Sequence, residues 1–164
     1  MKKGVDFILK DDLDLEKLEI LEGKMGFNFP SHFKSFVSEY SFSNKSIILE
    51  MKVDELRGFE FPAEAVLYEP SKTDDNPLFF SKFRNIGDLE DDIKLLDQDE
   101  LWIEKGLLVI GYSTVGEKIC LGIKEECMDE IWRVNDDSIR ENMFKFLAEN
   151  ILSFVNGLIS KKSI

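Results

Sequence analysis

Residues 107 to 134, LLVIGYSTVGEKICLGIKEECMDEIWRV, constrain the fold more than any other stretch. Leu107 to Ile110 is a short apolar run, as in a strand buried on both faces. From Lys118 to Ile123 the apolar residues Ile119, Leu121 and Ile123 alternate with Lys118, Cys120 and Gly122, the period of a half-buried strand. Gly111 and Gly116 bracket Tyr-Ser-Thr-Val, which reads as a hairpin connection of about four residues. A polar loop, Lys124 to Asp129, leads to a third strand, Glu130 to Val134. This meander is expected at the centre of a sheet that the remaining chain covers.

At 164 residues the chain is read as one domain spanning residues 1–164. A chain of this size buries about 70% of its unfolded surface and needs no staples. No apolar run approaches the ~20 residues that span a bilayer, and the first ten residues do not form a signal peptide. A cytoplasmic location is therefore expected. Cys120 and Cys127 are then expected as reduced thiols. With one histidine, His32, and no CxxC, no metal or cofactor is expected. The 33 acidic and 21 basic residues give a net charge of −12, against nucleic acid or anionic membranes as partners. That charge serves solubility, or it steers a basic protein partner.

Taken in order, Asp11 to Met25 reads as a first helix, with Leu15, Leu18, Leu21 and Met25 near one stripe and Gly26 as its stop. Pro30 starts a second, whose apolar face is Phe33, Phe36, Val37 and Tyr40, leaving His32 on the surface. Ser46 to Val53 reads as a strand, and Leu56 to Tyr68 as two short strands around Pro62 or a strand and a turn. Glu69 to Pro77 has the composition of an exposed loop, and Phe79, Phe80 and Phe83 return the chain to the core. Asp88 to Gln98 reads as a third helix. Ser138 and Glu141 have capping-box spacing. Phe144, Leu147, Ala148, Ile151, Phe154, Val155 and Leu158 then carry the strongest helical period in the chain, so a long C-terminal helix is expected across the sheet.

Eight acids and one lysine, Lys94, lie between Asp88 and Glu104, a net −7 in seventeen residues. With the apolar stripe inward, Asp88, Glu90, Asp91, Asp92 and Asp97 point to solvent. Such density reads either as a solvated face or as a steering surface. The alternating pattern of a calcium loop is missing.

The chain resembles the SUKH superfamily, the Smi/Knr-type domain of fungal cell-wall regulators and bacterial immunity proteins. Gly26, Phe27, Phe29, Pro30, Phe33 and Phe36 match its first motif. Ile110, Gly111, Gly116, Ile119, Cys120 and Leu121 match its second, and Ile131 and Trp132 the strand that follows. Ser43-Asn44-Lys45 stands where many members carry glycines. With the residue patterns, the resemblance implies an α+β single domain, a mostly antiparallel sheet packed by N-terminal helices and a long C-terminal helix. The matching residues are packing and turn residues, so no catalytic set is carried over.

Two functions from the resemblance and one from the residues are weighed. An immunity protein would bind and block a cognate toxin domain, often a nuclease, whose phosphate-holding surface is basic. Its partner-binding residues would be Asp88, Glu90, Asp91, Asp92, Asp97, Asp99 and Glu100, with Tyr112 or Phe80 as an aromatic anchor. A regulatory or scaffolding module of the Smi/Knr type is the alternative. An enzyme is not expected: adjacent acids such as Asp91–Asp92 or Asp136–Asp137 diverge, and Ser113 and Cys120 have no evident base.

Overall fold

In a computed structural model the described residues are 13–39, 51–54, 59–62, 66–84, 89 and 105–160. The helices are α1 (Leu13–Met25), α2 (Ser31–Glu39) and α3 (Ile151–Asn156). The strands are β1 (Met51–Asp54), β2 (Phe59–Pro62), β3 (Val66–Tyr68), β4 (Phe79–Phe83) and β5 (Leu107–Ser113). They continue as β6 (Lys118–Gly122), β7 (Ile131–Val134), β8 (Phe144–Ala148) and β9 (Leu158–Ser160). Among the described residues β1 and β2 pair only with each other. The other seven form an antiparallel sheet in the order β8-β7-β6-β5-β4-β3-β9. The α+β class therefore holds, and the meander is central: β5 is the middle strand of the seven.

The sheet curls, and the chain requires it to. β8 and β9 are its two edges, yet only residues 149–157 connect them. Seven flat strands would hold those edges about 29 Å apart. α3 rises only about 9 Å, and three flanking residues add about 10 Å more. Curling brings β3 within reach of β8, where the Tyr68 hydroxyl donates to the Leu147 carbonyl at 2.7 Å.

The inner face of the curl holds the core. Alternate residues Leu108 and Ile110, Ile119 and Leu121, and Ile131 meet Leu18 and Leu21 of α1, Phe33, Phe36 and Val37 of α2, and Phe154 of α3. The expected stripes of the two helices are the ones buried, apart from Leu15, which is half-buried, and Met25 and Tyr40, whose side chains lie outside the described set. Glu22 joins α1 to α2: its carboxylate accepts from the Phe29 amide at 2.7 Å and pairs with Lys34 at 3.0 Å.

Five expectations change. The long C-terminal helix is instead β8, the six-residue α3 and β9. Phe144-Lys145-Phe146 also has the period of a strand, and pairing with β7 satisfies a backbone edge that a helix would leave open. The helix starts only where the Asn150 side chain accepts from the Ser153 amide at 2.9 Å. The Ser138–Glu141 capping box does not form; Arg140–Asn142 is a 3-10 turn with no side-chain cap. The hairpin connection keeps four residues but shifts to 114–117, because β5, with a bulge between Val109 and Gly111, runs on to Ser113. The 69–77 loop is not wholly exposed. It opens with a 3-10 turn whose Ser71 is buried, donating to the Tyr68 carbonyl and accepting from the Leu78 amide. Phe80 is fully buried between Phe83 and Phe154 and is no surface anchor.

Of the third helix, only Leu89 is described; it is helical and buried in the core. The 46–50 part of the first expected strand lies outside the described residues. Leu56 to Tyr68 resolves into β2 and β3, on either side of residues 63–65. Among the described residues no helix is long and apolar enough to cross a membrane.

Candidate partner-binding face

The outer face of the sheet carries a second, smaller apolar cluster. Alternation that turns Leu108, Ile119 and Ile131 inward turns Leu107, Cys120, Trp132 and Val134 outward. Leu107, Cys120 and Val134 are buried there, under half-buried Val109, Cys127, Trp132, Met143 and Phe144. Cross-strand pairing sets the exposed part. Trp132 stands opposite Phe146 and Val134 opposite Phe144. The Trp132 and Phe146 rings meet edge to face, with centroids 5.7 Å apart, an arrangement favoured by the ring quadrupoles. Phe146 remains 45% exposed.

Between Trp132 and Phe144 a groove of about 370 Å³ opens, floored by Leu107 and edged by Lys105, Glu126 and Cys127. Gly122 makes the edge possible. The Cys127 carbonyl lies 1.8 Å from where a Cβ at Gly122 would stand, so the 3-10 turn Glu125–Cys127 folds directly over the end of β6. Asp129, at φ 77°, then turns the chain into β7. Its carboxylate pairs with His32 of α2, which is exposed, as expected, and holds this turn to the helical layer.

The groove has both charge signs at its margin. The Trp132 indole N–H donates to Glu130 at 2.9 Å, and exposed Glu126 lines the groove. The Lys105 ammonium lies 5.3 Å from the centre of the Phe144 ring, a cation–π contact. The Cys127 thiol points at the Lys105 and Gly106 carbonyls, 3.3 and 3.6 Å away. Burial raises its pKa, the backbone amides of Lys124 and Ile123 oppose that, and Glu130 and Glu126 reinforce it. Cys120 is fully buried, and desolvation drives its pKa far upward. Both thiols are free. No group of three or more metal-ligating side chains occurs among the described residues.

Of the residues expected to bind a partner, Asp88, Glu90, Asp91, Asp92, Asp97, Asp99 and Glu100 lie outside the described set. Tyr112 is half-buried on the outer face of β5, opposite Lys82 and Lys118, with the Arg84 guanidinium 5.7 Å from its ring centre. The sequence reading missed Phe144 and Phe146 because it placed them on a helix. The Phe-Lys-Phe alternation, ended by the Asn150 cap, was the available signal. Comparison with protein-family models gives no match, and comparison with curated proteins gives none.

Proposed function

We propose that this chain is an immunity-type protein of the SUKH kind, acting in the cytoplasm, that neutralises a basic cognate toxin domain by binding it without chemistry. One observation carries the proposal: the half-exposed Trp132–Phe146 pair and the groove beside Trp132 stand next to the carboxylates of Glu126 and Glu130. Aromatic anchors within a polar rim are how protein interfaces concentrate their binding energy. Carboxylates in that rim suit a basic partner. Glu104, the last acid of the run that begins at Asp88, directly precedes in sequence Lys105 at the groove margin.

In this reading the aromatic groove anchors the partner, and the acidic residues steer its approach. A nuclease toxin would present the cationic surface that otherwise holds phosphate. The test is coexpression in a naive host with the C-terminal domain of a secreted protein encoded beside this chain. Growth arrest that this chain relieves is the expected result. Trp132→Ala and Phe146→Ala should abolish relief, each weakening binding by about 2 kcal/mol. Arrest that persists beside the soluble, folded chain removes the immunity reading for that pair. Capture of a signalling protein through the same face would then favour the regulatory alternative.

A further inference from the structure

A second cavity lies at the other end of the sheet. There the 69–78 connection, the β5–β6 hairpin and the β7–β8 connection converge, opposite the turn that edges the aromatic groove. It is an open cleft of about 600 Å³, and Met143 is its one apolar lining residue among the described residues. That volume is in the range of small-molecule sites.

Two cations form one side. Arg133 and Lys145 are direct cross-strand partners on β7 and β8, and neighbouring like charges repel unless something compensates them. The compensation is unequal. Arg133 is 5% exposed; its Nε and Nη2 donate to Glu117 at 2.9 and 2.8 Å, and Nη1 donates to the Asn76 carbonyl at 2.8 Å. Nη1 carries two N–H groups, and the second has no acceptor among the described residues. Lys145, by contrast, pairs with Asp74 at 2.5 Å with both side chains well exposed, 49% and 31%. A pair that exposed holds weakly. Asp75, beside it in the lining, has no cation within ion-pair distance among the described residues.

The cavity thus sets a buried donor and an exchangeable ammonium on its strand side against two carboxylates on its loop side. An anion alone would meet Asp74 and Asp75. A cation alone would meet Arg133 and Lys145. A ligand with both charges can enter the Lys145–Asp74 pair and leave each partner with an opposite charge. Its carboxylate meets Lys145 and the free Arg133 N–H, and its ammonium meets Asp74 and Asp75. Ser138 and Asn142 supply further polar contacts on the rim.

We propose that this cavity binds a zwitterion with a free amino and a free carboxylate group, as in an α-amino acid or a short peptide. The site is independent of the partner-binding face. The test is titration of the full-length, isotope-labelled chain with each standard α-amino acid, with triglycine, and with the N-acetylated form of each probe. A saturable shift of the Asn76, Ser138 and Asn142 amide signals by at least one zwitterionic probe is expected. N-acetylation should weaken it at least about tenfold. Saturation by free amino acids or by triglycine alone separates the two sources. Asp75→Asn should weaken binding about tenfold without changing thermal stability, and Glu125→Gln at the far end should leave it unchanged. Absence of saturable shifts with every zwitterionic probe overturns the proposal. So does equal binding of the acetylated probes, or binding indifferent to Asp75→Asn.

Discussion

The Tyr68 hydroxyl donates a 2.7 Å hydrogen bond to the Leu147 carbonyl, and so ties the strand next to one edge of the sheet to the strand at the other. Tyr68 is buried, its ring stacked at 5.0 Å on Phe154 of α3. Tyr68→Phe keeps that packing and removes only the bond. It should destabilise the protein by about 1–2 kcal/mol, measured by urea unfolding. A change below about 0.3 kcal/mol would mean that α3 alone holds the edges together.

The same phenol gives an alkaline prediction. Burial raises the Tyr68 pKa in the folded state, so the folded protein holds this proton more tightly than the unfolded chain. The resulting stabilisation is complete below the unfolded value of about 10 and is lost as pH rises through the folded value. Unfolding free energy should therefore fall more steeply above about pH 10 in the native protein than in Tyr68→Phe. Parallel curves would show that the phenol is not linked to folding.

The central meander was legible because its signal is local. Period-two alternation around Ile119 and Leu121 admits one inward face, the apolar run at Leu107 asks for cover on both, and the sheet provides each. The Phe33, Phe36 and Val37 stripe of α2 was legible for the same reason. The end of the chain was not. Phe144, Leu147, Ala148 and Ile151 satisfy a helical period, while Phe144 and Phe146 equally satisfy a strand. What decides between them is non-local: the open edge of β7, opposite which Phe146 meets Trp132. The aromatic face depends on that decision, so it was illegible too. The curl was hidden for a related reason, since it follows from the strand order and not from any one strand.

Thiol chemistry tests the outer face. Cys120 lies wholly buried under the groove and Cys127 only partly, at its margin. At neutral pH N-ethylmaleimide should modify Cys127 alone, and more slowly than an open thiol, because burial raises its pKa. Cys120 should react only at the rate of unfolding, read by mass spectrometry of digested protein. Rapid labelling of Cys120 in native conditions would mean that the small cluster formed with Leu107 and Val134 opens on its own.

The buried Glu117–Arg133 pair fixes the loop end. Glu117 arises in the β5–β6 hairpin, where Ser113 Oγ accepts its amide at 3.0 Å and donates to its carboxylate at 3.2 Å. Arg133 then reaches from β7 to that carboxylate and to the Asn76 carbonyl, joining the hairpin to the 69–78 connection. Glu117→Leu alone leaves a guanidinium buried without its counter-charge and should cost about 3–5 kcal/mol. Arg133→Met alone strands the carboxylate and should cost about as much. Together the two replacements remove both desolvated charges, and the double variant should recover most of the loss. Urea unfolding of the four proteins measures the coupling. If the losses simply add, the ion pair contributes nothing specific, and Ser113 and the backbone bonds hold the hairpin instead. If the double variant is stable but its Asn76 and Ser138 amide signals broaden, the pair orders the cavity wall more than it stabilises the fold.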